Sequence, residues 1–200
     1  MRTSPTWSRL SAKWLLPMQL DAPLVTERLQ LRSLADQDVS DEYLGWMNDP
    51  LVNRFLESRL TEQTLSSIGE FVRSNNASAD TLLLGIFLAG KQHIGNIKLG
   101  PVSSHHQSAA IGIMIGRRDA WGKGYAAEAI VLLSRYAFER AGLMKLYAGC
   151  YAANTASFRA FQKAGFVLEG RFRSHVSSDG RRDDTLQVGL TRADWRAPQQ

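Results

Sequence analysis

The hydrophobic period of this chain switches from two to about 3.6 within a handful of residues, which limits the folds open to it. Leu82 to Leu88 and His93 to Leu99 read as strands and flank Ala89-Gly90-Lys91-Gln92, a hairpin signal. After a polar loop holding His105 and His106, Ala109 to Ile115 reads as a third strand of the same meander. Gly124 to Glu139 is then helical, with Ala127, Ile130, Val131, Ser134, Ala137 and Phe138 on one face. The join between the two periods is Trp121-Gly122-Lys123-Gly124-Tyr125-Ala126. Glycines at such a join let the backbone approach a ligand without a Cβ in the way. The first N–H groups of the helix lack internal partners, and the helix dipole adds positive charge there. The segment therefore predicts an anion site suited to a pyrophosphate.

Around this segment the elements alternate. Val25 to Arg32 reads as a half-buried strand and opens the folded unit near Leu24. A helix is expected over Asp36–Met47, closed by Asn48-Asp49-Pro50 as a turn, and a second over Thr61–Val72 with Thr61 as its cap. Ser74 to Asp80 is polar and turn-rich. Past the long helix come a strand over Lys145–Tyr151, a short helix over Thr155–Lys163, a strand edge over Phe166–Glu169 and a closing strand over Asp184–Leu190. Strands first, then alternating helices and strands, indicate an α+β fold on a mixed sheet. Two hundred residues without repeats make a single domain, 24–195, between a basic arm, 1–23, and a short tail, 196–200.

Charge and cysteine content exclude more than they identify. Part of the net charge of +5 sits in the leading arm, which has no acid before Asp21, and part in Arg171, Arg173, Arg181 and Arg182. No nucleic-acid motif accompanies it, so neither nucleic acid nor membrane is expected as a partner. Trp14-Leu15-Leu16 is broken by Pro17 and lacks a small-residue cleavage site, which makes the arm a poor secretion signal. Cys150 alone cannot form an internal disulfide and fits a reducing compartment, the cytoplasm by default. Its neighbours alternate, so it reads as a small strand residue. No His, Cys or Asp cluster has metal-ligand spacing. A homodimer is left open.

Two familiar phosphate motifs do not fit the join. A P-loop needs Ser or Thr after Gly-Lys, where this chain has Gly124. A dinucleotide fingerprint accepts Ala127 as its third small residue but should open a parallel βαβ unit, and a meander precedes this one. The segment instead resembles the coenzyme-A motif of the GNAT acetyltransferases, Gln/Arg-x-x-Gly-x-Gly/Ala. Its Trp121 form and the following Ala127-Glu128-Ala129 are similar to the branch of ribosomal-protein alanine N-acetyltransferases. A second block, Asn154-Thr155-Ala156-Ser157 with Lys163-Ala164-Gly165-Phe166 and Glu169-Gly170, supports the resemblance, as does Thr26-Glu27-Arg28-Leu29-Gln30-Leu31-Arg32.

The resemblance implies a GNAT fold: a mixed, mostly antiparallel sheet splayed at a coenzyme-A cleft and flanked by helices. It implies acetyl-CoA as co-substrate, an amine acceptor and no metal. The pyrophosphate would lie on Trp121, Gly122, Lys123, Gly124, Tyr125 and Ala126, the pantetheine arm would bond to the backbone of Ile113 and Ile115, and Asn154 would anchor the coenzyme. Lys123 would add charge near the phosphates; Arg117 and Arg118 read as solvated turn residues. Many family members place a Tyr acid seven positions after that Asn, where this chain has Phe161. Ser157 is then the expected acid for the leaving thiolate. The Glu often found entering the motif is replaced by Ala109-Ala110, which leaves His175 as the expected base, with Glu169 or a water relay as alternatives. The implied acceptor is a protein amino terminus. Trp46-Met47-Asn48-Asp49-Pro50-Leu51-Val52-Asn53-Arg54 resembles a stretch of nucleotide-amino-sugar acetyltransferases, which keeps a small amine open. Without the usual Tyr and Glu, a non-catalytic acyl-CoA-binding module also stays open.

Overall fold

Leu82–Leu88 reads LLLGIFL, and a strand this apolar must be covered on both faces. In the computed structural model, which describes residues 19–89, 91–178 and 180–195, it is covered on both. Leu82, Leu84 and Ile86 join one core cluster with Ile130 and Leu133. Leu83 and Phe87, alternating with them, join a second cluster with Tyr43, Trp46, Ile68 and Val72. The sheet is thus a central layer between two helical ones. Residues 1–18 of the expected arm and the whole tail, 196–200, lie outside the described residues.

The strands are β1 (Leu24–Val25), β2 (Leu29–Ser33), β3 (Leu82–Leu88), β4 (His93–Ser103), β5 (Ser108–Ile115), β6 (Lys145–Tyr151), β7 (Val167–Ser178) and β8 (Arg181–Thr191). They form one eight-stranded sheet in the order β1-β2-β3-β4-β5-β6-β8-β7. The hairpin and meander fall where the period of two predicts them. The last two strands are much longer than the expected Phe166–Glu169 and Asp184–Leu190, because they pair with each other as an antiparallel ribbon. A register shift between Phe172 and Val176, with Ser174 at φ +48°, interrupts that ribbon.

Three helical expectations are corrected. Asp36–Met47 is not one helix: a 3-10 turn, Asp36–Asp38, precedes α1 (Asp41–Asn48). The Asp38 carboxylate accepts from the Arg32 guanidinium at 2.7 and 2.8 Å and from the Ala35 amide at 2.7 Å, which fixes a turn there, and Ser40 then caps α1. The expected turn at Asn48-Asp49-Pro50 starts a further helix, α2 (Pro50–Asn53), capped by Asp49. The expected helix over Thr61–Val72 is α3 (Leu65–Asn76), capped reciprocally by Thr64 and Ser67. Thr61 instead accepts from the Gln63 side chain.

The long helix is α4 (Tyr125–Arg135), followed by a π-type turn over Tyr136–Arg140. Its buried face is rotated from the expected one: Ala129, Ile130, Leu133, Ser134, Ala137 and Phe138 are buried, while Ala127 and Val131 are only half-buried. Helix α5 (Thr155–Lys163) matches its expected bounds.

α4 crosses over from β5 to β6, and those strands run parallel. The glycine turn therefore does stand inside a βαβ unit, contrary to the sequence-based exclusion. The parallel seam is short. Ser108, Ala109 and Ala110 pair with Lys145, Leu146 and Tyr147, and no pair follows. Beyond it β5 stays with β4 out to Ile115, while β6 stays with β8 out to Tyr151. The sheet opens between them.

Candidate active site

The first wall of the opening is β5 and the turn after it. Gly116 N–H bonds to Ile94 O at 2.9 Å, and the alternation of an antiparallel ladder then turns the amides of Ile113 and Ile115 toward the open edge. The Trp121 indole N–H donates to Ile115 O at 2.8 Å, so one carbonyl of that edge is already used. Gly122 and Gly124 stand at φ +72° and +84°, a region costing other residues roughly 1–2 kcal/mol. Gly124 is the left-handed cap of α4, and the amides of the helix's first turn have no internal acceptor.

Behind the turn, Arg28 ties three pieces together. Its guanidinium pairs with Glu128 on α4, with Nε at 2.9 Å from Oε2, and Nη1 donates to Lys123 O at 3.3 Å. It also lies over the Tyr125 ring, 4.9 Å from the centroid. Thr26 donates to the other Glu128 oxygen at 2.5 Å. The Lys123 carbonyl is thereby held toward Arg28.

The second wall is α5. Asn154 caps it, accepting from Ser157 N–H at 3.1 Å, and Asn154 N–H in turn donates to Tyr151 O at 2.9 Å. The Ser157 hydroxyl has no partner among the described residues, and Ser157 lines the cleft with Ala156, Arg159 and Lys163 of the same helix. Phe161 faces the core instead, 2% exposed and packed edge-on against Phe166 at 5.1 Å. The third wall is α2 and the turn after it, through Leu51, Val52, Arg54, Phe55 and Leu56. The three enclose a cleft of about 540 Å³, within the usual range for a small-molecule site.

At the end of β6, the Tyr151 hydroxyl donates to Glu57, and its ring packs against Phe55 at 5.7 Å. Burial, and then the Glu57 hydrogen bond, push its phenol above the ordinary range. A second enclosed group lies behind the third wall. The His93 ring stacks on Phe87 at 4.7 Å and meets Trp46 at 5.0 Å. Its Nε2 lies within hydrogen-bond distance of Asn96 Oδ1 and Gly95 O. Burial drives the His93 pKa down, against the raising effect of those bonds and of Asp38.

The structure brings Ile113, Ile115, Trp121, Gly122, Gly124, Tyr125, Ala126, Asn154 and Ser157 to one cleft. Lys123 is in the same turn with its side chain exposed. His175 is not among the lining residues: it stands exposed at the β7 register shift with its ring 5.4 Å from that of Phe172. Glu169 pairs with Lys145, also away from the cleft. Arg117 bonds to Asp119 and Glu42, and Arg118 pairs with Asp49, so both tie the turn to α1 and its neighbour. Cys150 is buried, and burial raises its thiol pKa, which suits a packing role. Among the described residues no group of three or more His, Cys, Asp or Glu is arranged to hold a metal. No helix there is long and apolar enough to cross a membrane. Sequence reasoning missed Arg159 and Lys163, although Ala156, Arg159, Ala160 and Lys163 follow a helical stripe. It named Arg54 only as the end of the Trp46–Arg54 resemblance and passed over Phe55 and Tyr151, which join it only in three dimensions.

A sheet splayed beside a glycine-capped helix start, with a second helix facing it across a cleft, is an arrangement that can receive a long phosphate-bearing molecule. The model of the acetyltransferase (GNAT) domain matches residues 28–167, and the chain belongs to that family; it is an N-acetyltransferase. Similar proteins include the uncharacterized N-acetyltransferase YoaA of Bacillus subtilis (strain 168), 31% identical over 81% of this chain and 92% of its own length. Another is the uncharacterized N-acetyltransferase p20 of Bacillus licheniformis, 27% identical over 86% of this chain and 97% of its own. Among solved structures, spermidine N-acetyltransferase from Vibrio cholerae, in complex with CoA and spermine, superposes with a TM-score of 0.75 at 22% identity. That match covers 84% of this chain and 98% of the other, and it confirms the splayed, helix-flanked fold.

Proposed function

We propose that this chain transfers an acetyl group from acetyl-CoA to a primary amine by direct attack, in a reducing compartment such as the cytoplasm. The observation that carries this reading is the early end of the β5–β6 seam after Ala110 and Tyr147, which leaves strand-edge amides facing a cleft. The α4 amides at Gly124, Tyr125 and Ala126 suit the pyrophosphate, and Arg159 and Lys163 add charge on the facing wall. The edge at Ile113 and Ile115 suits the amides of the pantetheine arm.

In the reaction the amine nitrogen bonds to the thioester carbonyl carbon, and the carbonyl electron pair moves to oxygen. Backbone N–H groups at the cleft edge stabilise that oxyanion. Collapse re-forms the C=O and breaks the C–S bond, and the proton lost by the attacking nitrogen passes through cleft water to the departing thiolate, giving the amide and the free thiol. The Ser157 hydroxyl, free of other partners, donates a hydrogen bond to the departing thiolate, and Asn154 holds the start of its helix in place. Because neither His175 nor Glu169 lines the cleft, we assign removal of the ammonium proton to cleft water.

The resemblance to ribosomal-protein acetyltransferases favours a protein amino terminus as acceptor. The side chains of the α2 wall favour the second reading, a small amine. A thiol-release assay with acetyl-CoA and a panel of peptides, polyamines and amino sugars tests the proposal. Release with at least one amine is expected. Ser157→Ala should lower kcat by about 10–100-fold, the loss of one hydrogen bond to a charged group, with little change in coenzyme affinity. Tight acetyl-CoA binding without release from any amine would mark a non-catalytic acyl-CoA-binding module instead.

A further inference from the structure

We infer that the acceptor is a small amine that also carries an anionic group, a phosphate or a carboxylate, and that Arg54 binds that group; the inference rests on the acetyl-transfer reading above. The charged side chains lining the cleft are Arg54, Arg159 and Lys163, and no Asp or Glu lines it among the described residues. Arg159 and Lys163 lie on α5, on the wall facing the glycine turn. Arg54 directly follows α2, on the third wall. Its guanidinium lies over the Phe55 ring, 4.5 Å from the centroid, and that ring packs at 5.7 Å on Tyr151, whose carbonyl holds Asn154 at the start of the Ser157 helix.

Most arginines near the site are occupied. Arg28 is tied to Glu128 and Lys123 O, Arg59 to Leu56 O and Ser177 O, Arg117 to Asp119 and Glu42. Arg54 makes no hydrogen bond or ion pair among the described residues; its recorded partner is the Phe55 face. An aromatic face fixes the plane of a guanidinium and leaves its fork of N–H donors free, the arrangement that suits bidentate binding of phosphate or carboxylate. Nearby carboxylates are committed elsewhere: Glu57 to Tyr151 and Arg59, Asp49 to the α2 cap and Arg118. Glu62 lines the adjoining hollow, which Arg54 also borders, without pairing to it.

The same inventory disfavours a polyamine. A second or third ammonium would face cations with no cleft carboxylate to meet it, whereas an acceptor bearing one anion and one amine is matched. The Asn48-Asp49-Pro50 stretch explains the placement. Asp49 caps α2 and Pro50 starts it, so the four-residue helix ends with Arg54 turned to the cleft.

Matched acceptors differing in one group provide the test. Initial rates at saturating acetyl-CoA would compare glucosamine 6-phosphate with glucosamine, phosphoethanolamine with ethanolamine, β-alanine with propylamine, and spermidine with all of them. The phosphate or carboxylate member of at least one pair should show at least tenfold higher kcat/KM, and which pair responds identifies the anion. Arg54→Ala should collapse that gap to under threefold while leaving the KM for acetyl-CoA unchanged. Arg54→Lys should restore part of it, and Arg54→Glu should improve spermidine. Calorimetric binding of the same pairs to the CoA-loaded protein gives a readout that does not require turnover. Equal use or binding of the charged and uncharged members overturns the inference, as does a preference for spermidine or an Arg54→Ala variant that keeps the gap. Failure to bind acetyl-CoA at all would instead sink the donor assignment, and the two failures are separable.

Discussion

The two ends of the cleft are built differently. At the glycine turn the groups that the proposed function uses are backbone amides, and the side chains around them are cross-tied: Arg28 to Glu128 and Lys123 O, Trp121 to Ile115 O, Arg117 to Asp119. At the α2 wall the lining groups are side chains, Leu51, Val52, Arg54 and Phe55, on a four-residue helix and the turn after it. A backbone site recognises one shape and tolerates little change. A side-chain site can be retuned by substitution without disturbing the fold. One wall is suited to a constant donor and the other to an acceptor that differs between relatives.

Changes at the glycine turn should break this contrast most severely. Gly124→Val places a β-branched residue at φ +84°, where strain of about 1–3 kcal/mol should shift the turn that orients the first α4 amides. Steady-state kinetics should show kcat/KM for acetyl-CoA falling by roughly 100-fold. Next comes Arg28→Ala, which releases the Lys123 carbonyl; the KM for acetyl-CoA should rise about tenfold, as for loss of one charge-assisted bond, with kcat held. Arg28→Lys, without the fork, should fall between. An equal loss with acetyl-pantetheine, which has no phosphates, would show that the effect is not at the anion site.

Acid should loosen the acceptor side first. Burial lowers the His93 pKa, so the unfolded chain takes up the proton before the native one. This contribution to stability is therefore present above the unfolded value, about 6.5, and is lost as pH falls from there toward the lower native value. Hydrogen exchange at pH 7.5 and 5.5 should show α1, whose Tyr43 and Trp46 meet the His93 ring, losing protection before α4. His93→Phe should flatten the difference. The smallest expected effect is that of His175→Ala: exposed on β7 and away from the lining residues, it should leave kcat within about twofold and the pH–rate profile unmoved.

The glycine turn was legible in the sequence because a backbone turn leaves marks there: two glycines at a change of hydrophobic period. Asn154 and Ser157, singled out through the family resemblance, lie together because a cap and the third residue after it are neighbours along the chain. The α2 wall was not legible in the same way, since Arg54, Phe55 and Tyr151 are brought together by tertiary packing alone. Helix starts were misplaced where a nearby side chain captured the expected cap. Gln63 donates to Thr61, the expected cap of one helix, and Arg32 holds Asp38 in a turn within the expected span of the other, so the helices begin after Thr64 and Ser40. The lengths of β7 and β8 escaped the pattern because an exposed ribbon needs no apolar alternation.

The seam between β5 and β6 has a mechanical consequence. Three residue pairs are all the strand pairing that joins the five-stranded half of the sheet to the three-stranded half. Such a seam is a fulcrum, and the angle between the halves is left to α4 and to whatever fills the gap. An extended molecule laid along Ile113 and Ile115 would act as a missing strand and splice the halves into one cooperative unit. Acetyl-CoA should then raise the unfolding temperature and also sharpen the transition, as two loosely coupled halves begin to melt together.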